Sequence, residues 1–217
     1  MTSQEAARRT MVDCQLRTFD VSDKAVLAAM AEVPRERFVA ARHEQFAYLD
    51  QNLPLPGDAS DQRVVLAPMT IGRLLQALAI QAGDKVLDVG GGLGYVTALL
   101  AAMGARPTLL ESRQDLADAA GERLGASAAV RMAPLPGGAP EDGPFDCIFV
   151  NGAVERRPTE LLDQLGPGGR LACLSLENGP GRALLYVRSG DGIGYRSLFD
   201  ATAPALVAFR PEPVFTF

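Results

Sequence analysis

The chain has 217 residues, 47% of them hydrophobic and 22% charged, a balance close to that of folded globular domains and far from disordered or fibrous sequences. Its 21 Lys and Arg against 26 Asp and Glu leave a net charge of −5, which argues against a broad phosphate-binding surface and so against a nucleic-acid partner. Three scattered cysteines, Cys14, Cys147 and Cys173, and a single histidine, His43, exclude a disulfide framework, a structural zinc and any catalytic or metal site built on several histidines.

No apolar run approaches the ~18–20 residues of a membrane helix, and the first residues lack the apolar stretch of a signal peptide. The expectation is a cytoplasmic protein with no membrane partner and no metal. A single domain over 1–217 is expected, with a helical segment over 1–80 and an α/β core over 81–217.

In chain order, the stretch to about residue 57 reads as helices and loops. Ser22 is placed to cap a helix in which Val26, Leu27, Met30 and Val33 share a face. Pro34 ends that helix, because the residue before proline avoids the helical region. Asn52-Leu53-Pro54-Leu55-Pro56-Gly57 reads as a turn-rich connector. A second helix follows Pro68, with Ile71, Leu74, Leu75 and Leu78 at i, i+3, i+4 and i+7. From Gly83 strands and helices alternate. The strands are Lys85–Val89, Thr108–Leu110, Ala129–Met132, Phe145–Val150 and Arg170–Leu174, and the helices Tyr95–Met103, Asp115–Leu124 and Pro158–Leu165. Ala183–Arg188 and Tyr195–Phe199 flank Ser189-Gly190-Asp191-Gly192 as a hairpin. This alternation predicts a Rossmann-like α/β fold: a doubly wound, mostly parallel sheet with an N-terminal helical segment and a C-terminal antiparallel hairpin.

Chemistry concentrates in Asp88-Val89-Gly90-Gly91-Gly92-Leu93-Gly94-Tyr95, where the first core strand gives way to a helix and open α/β sheets bind ligands. A dinucleotide fingerprint needs glycines at offsets 0, 2 and 5, but here offset 5 is Tyr95 and the third glycine comes early, at Gly94. Asp88, two positions before Gly90, would repel a pyrophosphate and welcome a cationic cofactor. Acid-x-Gly-x-Gly-x-Gly is the pattern of enzymes that bind S-adenosylmethionine (SAM). The next strand ends in Glu111, 21 residues after Gly90, where an acidic side chain can accept ribose hydroxyls. The plainer alternative is a strand-to-helix turn with a solvated glutamate, which the joint presence of Asp88, the glycines and Glu111 disfavours. Gly91 completes the loop, and Tyr95 is placed either to pack on the cofactor or to enter the core.

Thr10-Met11-Val12-Asp13-Cys14-Gln15-Leu16-Arg17, Val33-Pro34-Arg35-Glu36-Arg37-Phe38-Val39, Ala47-Tyr48-Leu49-Asp50 and Leu53-Pro54-Leu55 occur in that order. Together with Phe145-Asp146-Cys147-Ile148-Phe149-Val150 and Leu165-Gly166-Pro167-Gly168-Gly169, they resemble protein-L-isoaspartate O-methyltransferases from about residue 8 to residue 200. The resemblance implies SAM as cofactor and, as partner, a protein or peptide carried as an isoaspartyl carboxylate. That acceptor is already ionised, so transfer needs alignment and desolvation rather than a strong base. A monomer or homodimer is expected.

The chain departs from the family pattern in two places. Where the family carries Thr-Ile-Ser-Gln-Pro, with the serine at the transfer site, this sequence has Val64-Val65-Leu66-Ala67-Pro68, so the catalytic residue is unassigned. Either a neighbour such as Thr70 supplies the hydroxyl, or the acceptor differs, or SAM is bound without repair activity. The family's Gly-Asp-Gly after the third strand is replaced by Met132-Ala133-Pro134-Leu135, and the tail from Phe209 to Phe217 has no family counterpart. Leu66, Ala67, Pro68, Thr70 and Asn151 are the substrate-side candidates, although Asn151 beside Gly152 is equally a turn residue. His43 reads as a surface residue, Cys14 and Cys147 as buried thiols, and Arg8-Arg9 and Arg156-Arg157 as solvated faces.

Overall fold

The computed structural model of the chain describes residues 2–57 and 62–211. Helix α1 (Ser3–Met11) begins on a capping box, in which the Thr2 hydroxyl accepts the Glu5 N–H while the Glu5 carboxylate accepts the Thr2 N–H. A π-helical turn (Val12–Leu16) and a 3-10 turn (Arg17–Phe19) lead to helix α2 (Lys24–Glu32). Its cap is Asp23 rather than Ser22: Asp23 Oδ1 accepts the Ala25 and Val26 N–H groups, while the Ser22 N–H donates to Gln76. The connector at 52–57 holds a short strand, β1 (Leu53–Pro54), paired antiparallel with β2 (Val64–Val65), and Leu53 and Val65 are buried opposite one another. Helix α3 (Pro68–Leu78) starts on its proline, as expected, and fully buries Ile71, Leu74, Leu75 and Leu78.

The α/β part then runs β3 (Lys85–Val89), α4 (Tyr95–Ala102), β4 (Arg106–Glu111), α5 (Gln114–Leu124), β5 (Ala129–Met132), β6 (Phe145–Val154), α6 (Thr159–Leu162), β7 (Leu165–Ser175), β8 (Arg182–Ser189) and β9 (Gly192–Asp200). Seven strands form one sheet in the order β5-β4-β3-β6-β7-β8-β9. Strands β3 to β7 are parallel, and β8 and β9 add antiparallel strands through a two-residue turn in which Gly190 takes φ 57°. The chain winds outward from β3 to β5 and then returns to the other side of β3 as β6. The gap between the ends of β3 and β6 is therefore the topological switch point where such sheets bind ligands.

Both faces of the sheet are buried. On one face the N-terminal helices, α3, α4 and α5 pack into a cluster with Val86, Leu109, Cys147 and Phe149. On the other, Leu87, Val89, Ile148 and Val150 pack with α6 and the segment around Phe209.

Two further local readings differ from the structure. The helix expected over Pro158–Leu165 is a single turn, because β7 already begins at Leu165. Leu165 pairs with Phe145 and Arg170 with Cys147, so the glycines between them form a bulge, and a Cβ on Gly169 would lie 2.8 Å from the Gly166 carbonyl oxygen. Cys147 and Cys173 are buried, but Cys14 is exposed, since Met11, Val12 and Leu16 take the inward positions of that turn. The sheet ends at β5, four residues long and carrying Arg131, and at β9, which carries Gly192, Gly194, Arg196 and Asp200. No helix among the described residues is long and apolar enough to cross a membrane, and no group of three or more His, Cys, Asp or Glu among them is arranged to hold a metal. Of the unmatched C-terminal tail, residues 212–217 lie outside the described residues.

Candidate active site

Strand β3 delivers the glycine loop to the switch point. Gly90, Gly92 and Gly94 adopt φ of 68°, 60° and 93°, a region that disfavours side chains. Gly90 N–H donates to the Leu110 carbonyl at 2.8 Å, tying the loop to the end of β4. A Cβ on Gly91 would sit 2.8 Å from Leu109 and 2.9 Å from Asp88 Oδ2, so this position is closed to any larger residue. Gly94 caps α4 without a side chain and packs against Leu124.

Asp88 is fully buried. Thr97 Oγ1 donates to its Oδ2 at 2.5 Å, and Asn151 Nδ2 donates to its Oδ1. Burial pushes the carboxyl up to about 7, against the opposing pull of these two hydrogen bonds. Asn151 reaches Asp88 because β6 is irregular at this point. Phe149 pairs with Ala172 and Ala153 with Leu174, so the residues between them bulge, with Gly152 packed under Leu206. The bulge aims the Asn151 side chain at the switch point, and Asp88 fixes which way its amide turns.

Glu111, the last residue of β4, has no solvent exposure. It accepts the backbone N–H groups of Gly92 at 3.0 Å, Ser112 at 2.7 Å and Arg113 at 3.1 Å. The Arg63 guanidinium grips both of its oxygens, with Nη2 at 2.7 Å from Oε2, and the same Nη2 donates to the Gly90 carbonyl at 2.7 Å. Leu55 lies against the other side of the loop, 2.7 Å from where a Gly92 Cβ would be. Arg63 does not stand out in the sequence, and Leu55 does so only as part of the Leu53-Pro54-Leu55 block. The available signal was a lone arginine at the head of the apolar run Val64-Val65-Leu66.

The segment expected on the substrate side is held from beneath by Arg35, which is fully buried. Its Nη2 donates to the Leu66 carbonyl and its Nε to the Ala47 carbonyl, both at 2.8 Å. Its guanidinium stacks over the Tyr95 ring at 4.9 Å, and Tyr95 meets Phe38 at 5.9 Å between centroids. Burial lowers the Arg35 pKa and pushes the Tyr95 phenol up to about 12. Tyr95 thus enters the core beneath the loop, and the Val-Pro-Arg-x-x-Phe block makes physical sense as a clamp under it. Leu66 is fully buried, and Ala67, Pro68 and Thr70 are nearly so. Ala67 N–H donates to Asn52 Oδ1 at 2.8 Å and Met69 N–H to Asp50 Oδ1 at 2.9 Å, so polar side chains from 50–52 secure the start of α3.

A profile of the protein-L-isoaspartate (D-aspartate) O-methyltransferase family matches residues 7–194. The chain belongs to that family. It is 41% identical over 170 residues to a protein-L-isoaspartate O-methyltransferase of Methylorubrum populi, covering 77% of this chain and 78% of that one. It is 37% identical over 207 residues to one of Gloeobacter violaceus, covering 93% and 99%. Among solved structures it superposes on a protein-L-isoaspartate O-methyltransferase with a TM-score of 0.77 at 24% identity, over 91% of this chain and 66% of that one. A second is a Plasmodium falciparum protein described as a putative member of the family in complex with S-adenosyl-L-homocysteine, with a TM-score of 0.76 at 19% identity over 96% and 100%. At these identities the two structures support the fold alone.

Proposed function

We propose that the chain is a SAM-dependent O-methyltransferase that esterifies the carboxylate of isoaspartyl residues in damaged protein. The observation that carries the reading is the meeting of the glycine loop with Glu111 at the switch point, where Gly92 N–H lies 3.0 Å from the carboxylate. Asp88, Gly90, Gly91, Gly92, Gly94 and Glu111 form the cofactor side, and Tyr95 supports the helix start from within the core. These residues fit a nucleoside with a cationic tail: the loop offers backbone without side chains of its own, and Asp88 and Glu111 beside it are acidic. When bound, SAM supplies a methyl group on a sulfonium.

The chain's own part is alignment and exclusion of water. An acceptor carboxylate is ionised at neutral pH, so no general base is needed. Val65, Leu66 and Ala67 give an apolar wall that strips water from it, and Asn151, held by Asp88, presents its amide beside the loop. Thr70 is buried on α3. The composition and three free cysteines fit a protein of the cytoplasm that acts on protein rather than nucleic acid.

One observation favours a second reading. Leu66 brings no hydroxyl to the position of the family serine, which fits a methyltransferase with another acceptor or a SAM-binding protein without repair activity. Transfer of labelled methyl from SAM to an isoaspartyl peptide, with the aspartyl peptide as control and S-adenosylhomocysteine binding measured in parallel, separates them. Selective labelling of the isoaspartyl peptide is expected; cofactor binding without transfer would sink the repair assignment.

A further inference from the structure

The Glu111 carboxylate is filled with hydrogen bonds. Three come from the backbone of Gly92, Ser112 and Arg113, and two from the Arg63 fork. About four lone-pair sites are available on an ionised carboxylate, so a ribose diol has nowhere to donate while Arg63 stays. The guanidinium also lies over the loop, with Nη2 3.2 Å from where a Gly90 Cβ would point. Arg63 and a nucleoside are therefore alternative partners of Glu111.

We infer that Arg63 exchanges one carboxylate for another during turnover: it yields Glu111 to the cofactor and then clasps the acceptor carboxylate. The inference rests on the isoaspartyl reading above. Its chemistry follows from the arginine itself. A side chain that is 7% exposed cannot give up its counter-charge without heavy cost, so the displaced guanidinium needs a new anion. The acceptor is a carboxylate, and a bidentate fork is the geometry that recognises one. Arg63 directly precedes β2, which runs into Leu66-Ala67-Pro68, so it stands where the cofactor side and the acceptor side join. Its buried Nε has no hydrogen-bond partner among the described residues, leaving a donor to spare. A fork occupying two lone pairs of the acceptor leaves the others for the incoming methyl, and it performs the positioning that Leu66 cannot. Cofactor must then bind before acceptor.

The test compares wild type with Arg63→Met and Arg63→Lys, all first checked for cooperative thermal unfolding. S-adenosylhomocysteine binding, read by calorimetry without turnover, should tighten by about threefold or more in Arg63→Met, because the competitor for Glu111 is gone. The KM for an isoaspartyl peptide should rise by about tenfold or more in the same variant, with kcat falling less, as expected on losing a charge-assisted bond. Arg63→Lys, which keeps the charge but loses the fork, should recover part of the KM. If wild type methylates the peptide but Arg63→Met binds S-adenosylhomocysteine no tighter, or its KM is unchanged, the exchange is overturned. If wild type methylates no isoaspartyl peptide, the acceptor reading fails instead, and the exchange falls with it.

Discussion

Asp88 places an ionisable group wholly inside the protein, and its consequences appear in stability before they appear in catalysis. Burial raises the carboxyl from its ordinary 3.8 to about 7. An acid raised in this way contributes stability that is fully present below about pH 4 and is lost as pH climbs through 7, because the unfolded chain then ionises more readily than the folded one. Asp88→Asn preserves the shape and both hydrogen bonds, since an amide can accept from Asn151 and donate to Thr97, but it cannot ionise. The variant should gain on wild type as pH rises from about 4 to about 7 in urea unfolding of the cofactor-free protein, by an amount on the order of a few kcal/mol. A gap independent of pH would show that the carboxyl does not titrate in this range.

At the scale of elements, the caps and clamps give sharper expectations than the helices themselves. Asp23 receives two backbone N–H groups at the start of α2, whereas Ser22 contributes mainly its own N–H. Asp23→Ala should therefore lower stability by about 1 kcal/mol while Ser22→Ala stays close to wild type, which a pair of denaturant melts would reveal. Arg35 has a larger duty, because it satisfies the carbonyls of Ala47 and Leu66 in a place with no solvent exposure. Arg35→Met should cost about 2–4 kcal/mol through those stranded acceptors, and it should also weaken acceptor binding by loosening Leu66. Normal stability in this variant would mean that the carbonyls find other partners.

These cases also mark how far the sequence could be read. The parallel core is legible from the alternation of strands and helices, and so is the placing of the glycine loop, Asp88 and Glu111 at neighbouring strand ends, which their spacing along the chain announces. The cap at Asp23 was missed by one residue, since two adjacent good caps cannot be ranked without seeing what else Ser22 touches. The entry into β7 reads as a turn between Leu165 and Arg170, because a bulge made of glycines has no periodicity. Arg63 escaped notice for a deeper reason: it meets Glu111 across a sequence separation of 48, and no local pattern records such a pair.

At the scale of the whole molecule, the N-terminal helices and the sheet share one buried cluster, so the N-terminal segment and the strands that carry the glycine loop stiffen each other. Hydrogen bonds from residues far apart in sequence reinforce this, such as that from Asn52 to the Thr202 carbonyl at 3.2 Å and the bridge between Ala153 and Ala205. The margins of the sheet have another use. A protein that handles damaged polypeptides meets extended, partly unfolded chains that seek any free strand to pair with. Here one margin is only four residues long, and the other is interrupted by Gly192 and Gly194 and studded with Arg196 and Asp200. A frayed client is denied a place to zip on as an extra strand at either margin of the sheet.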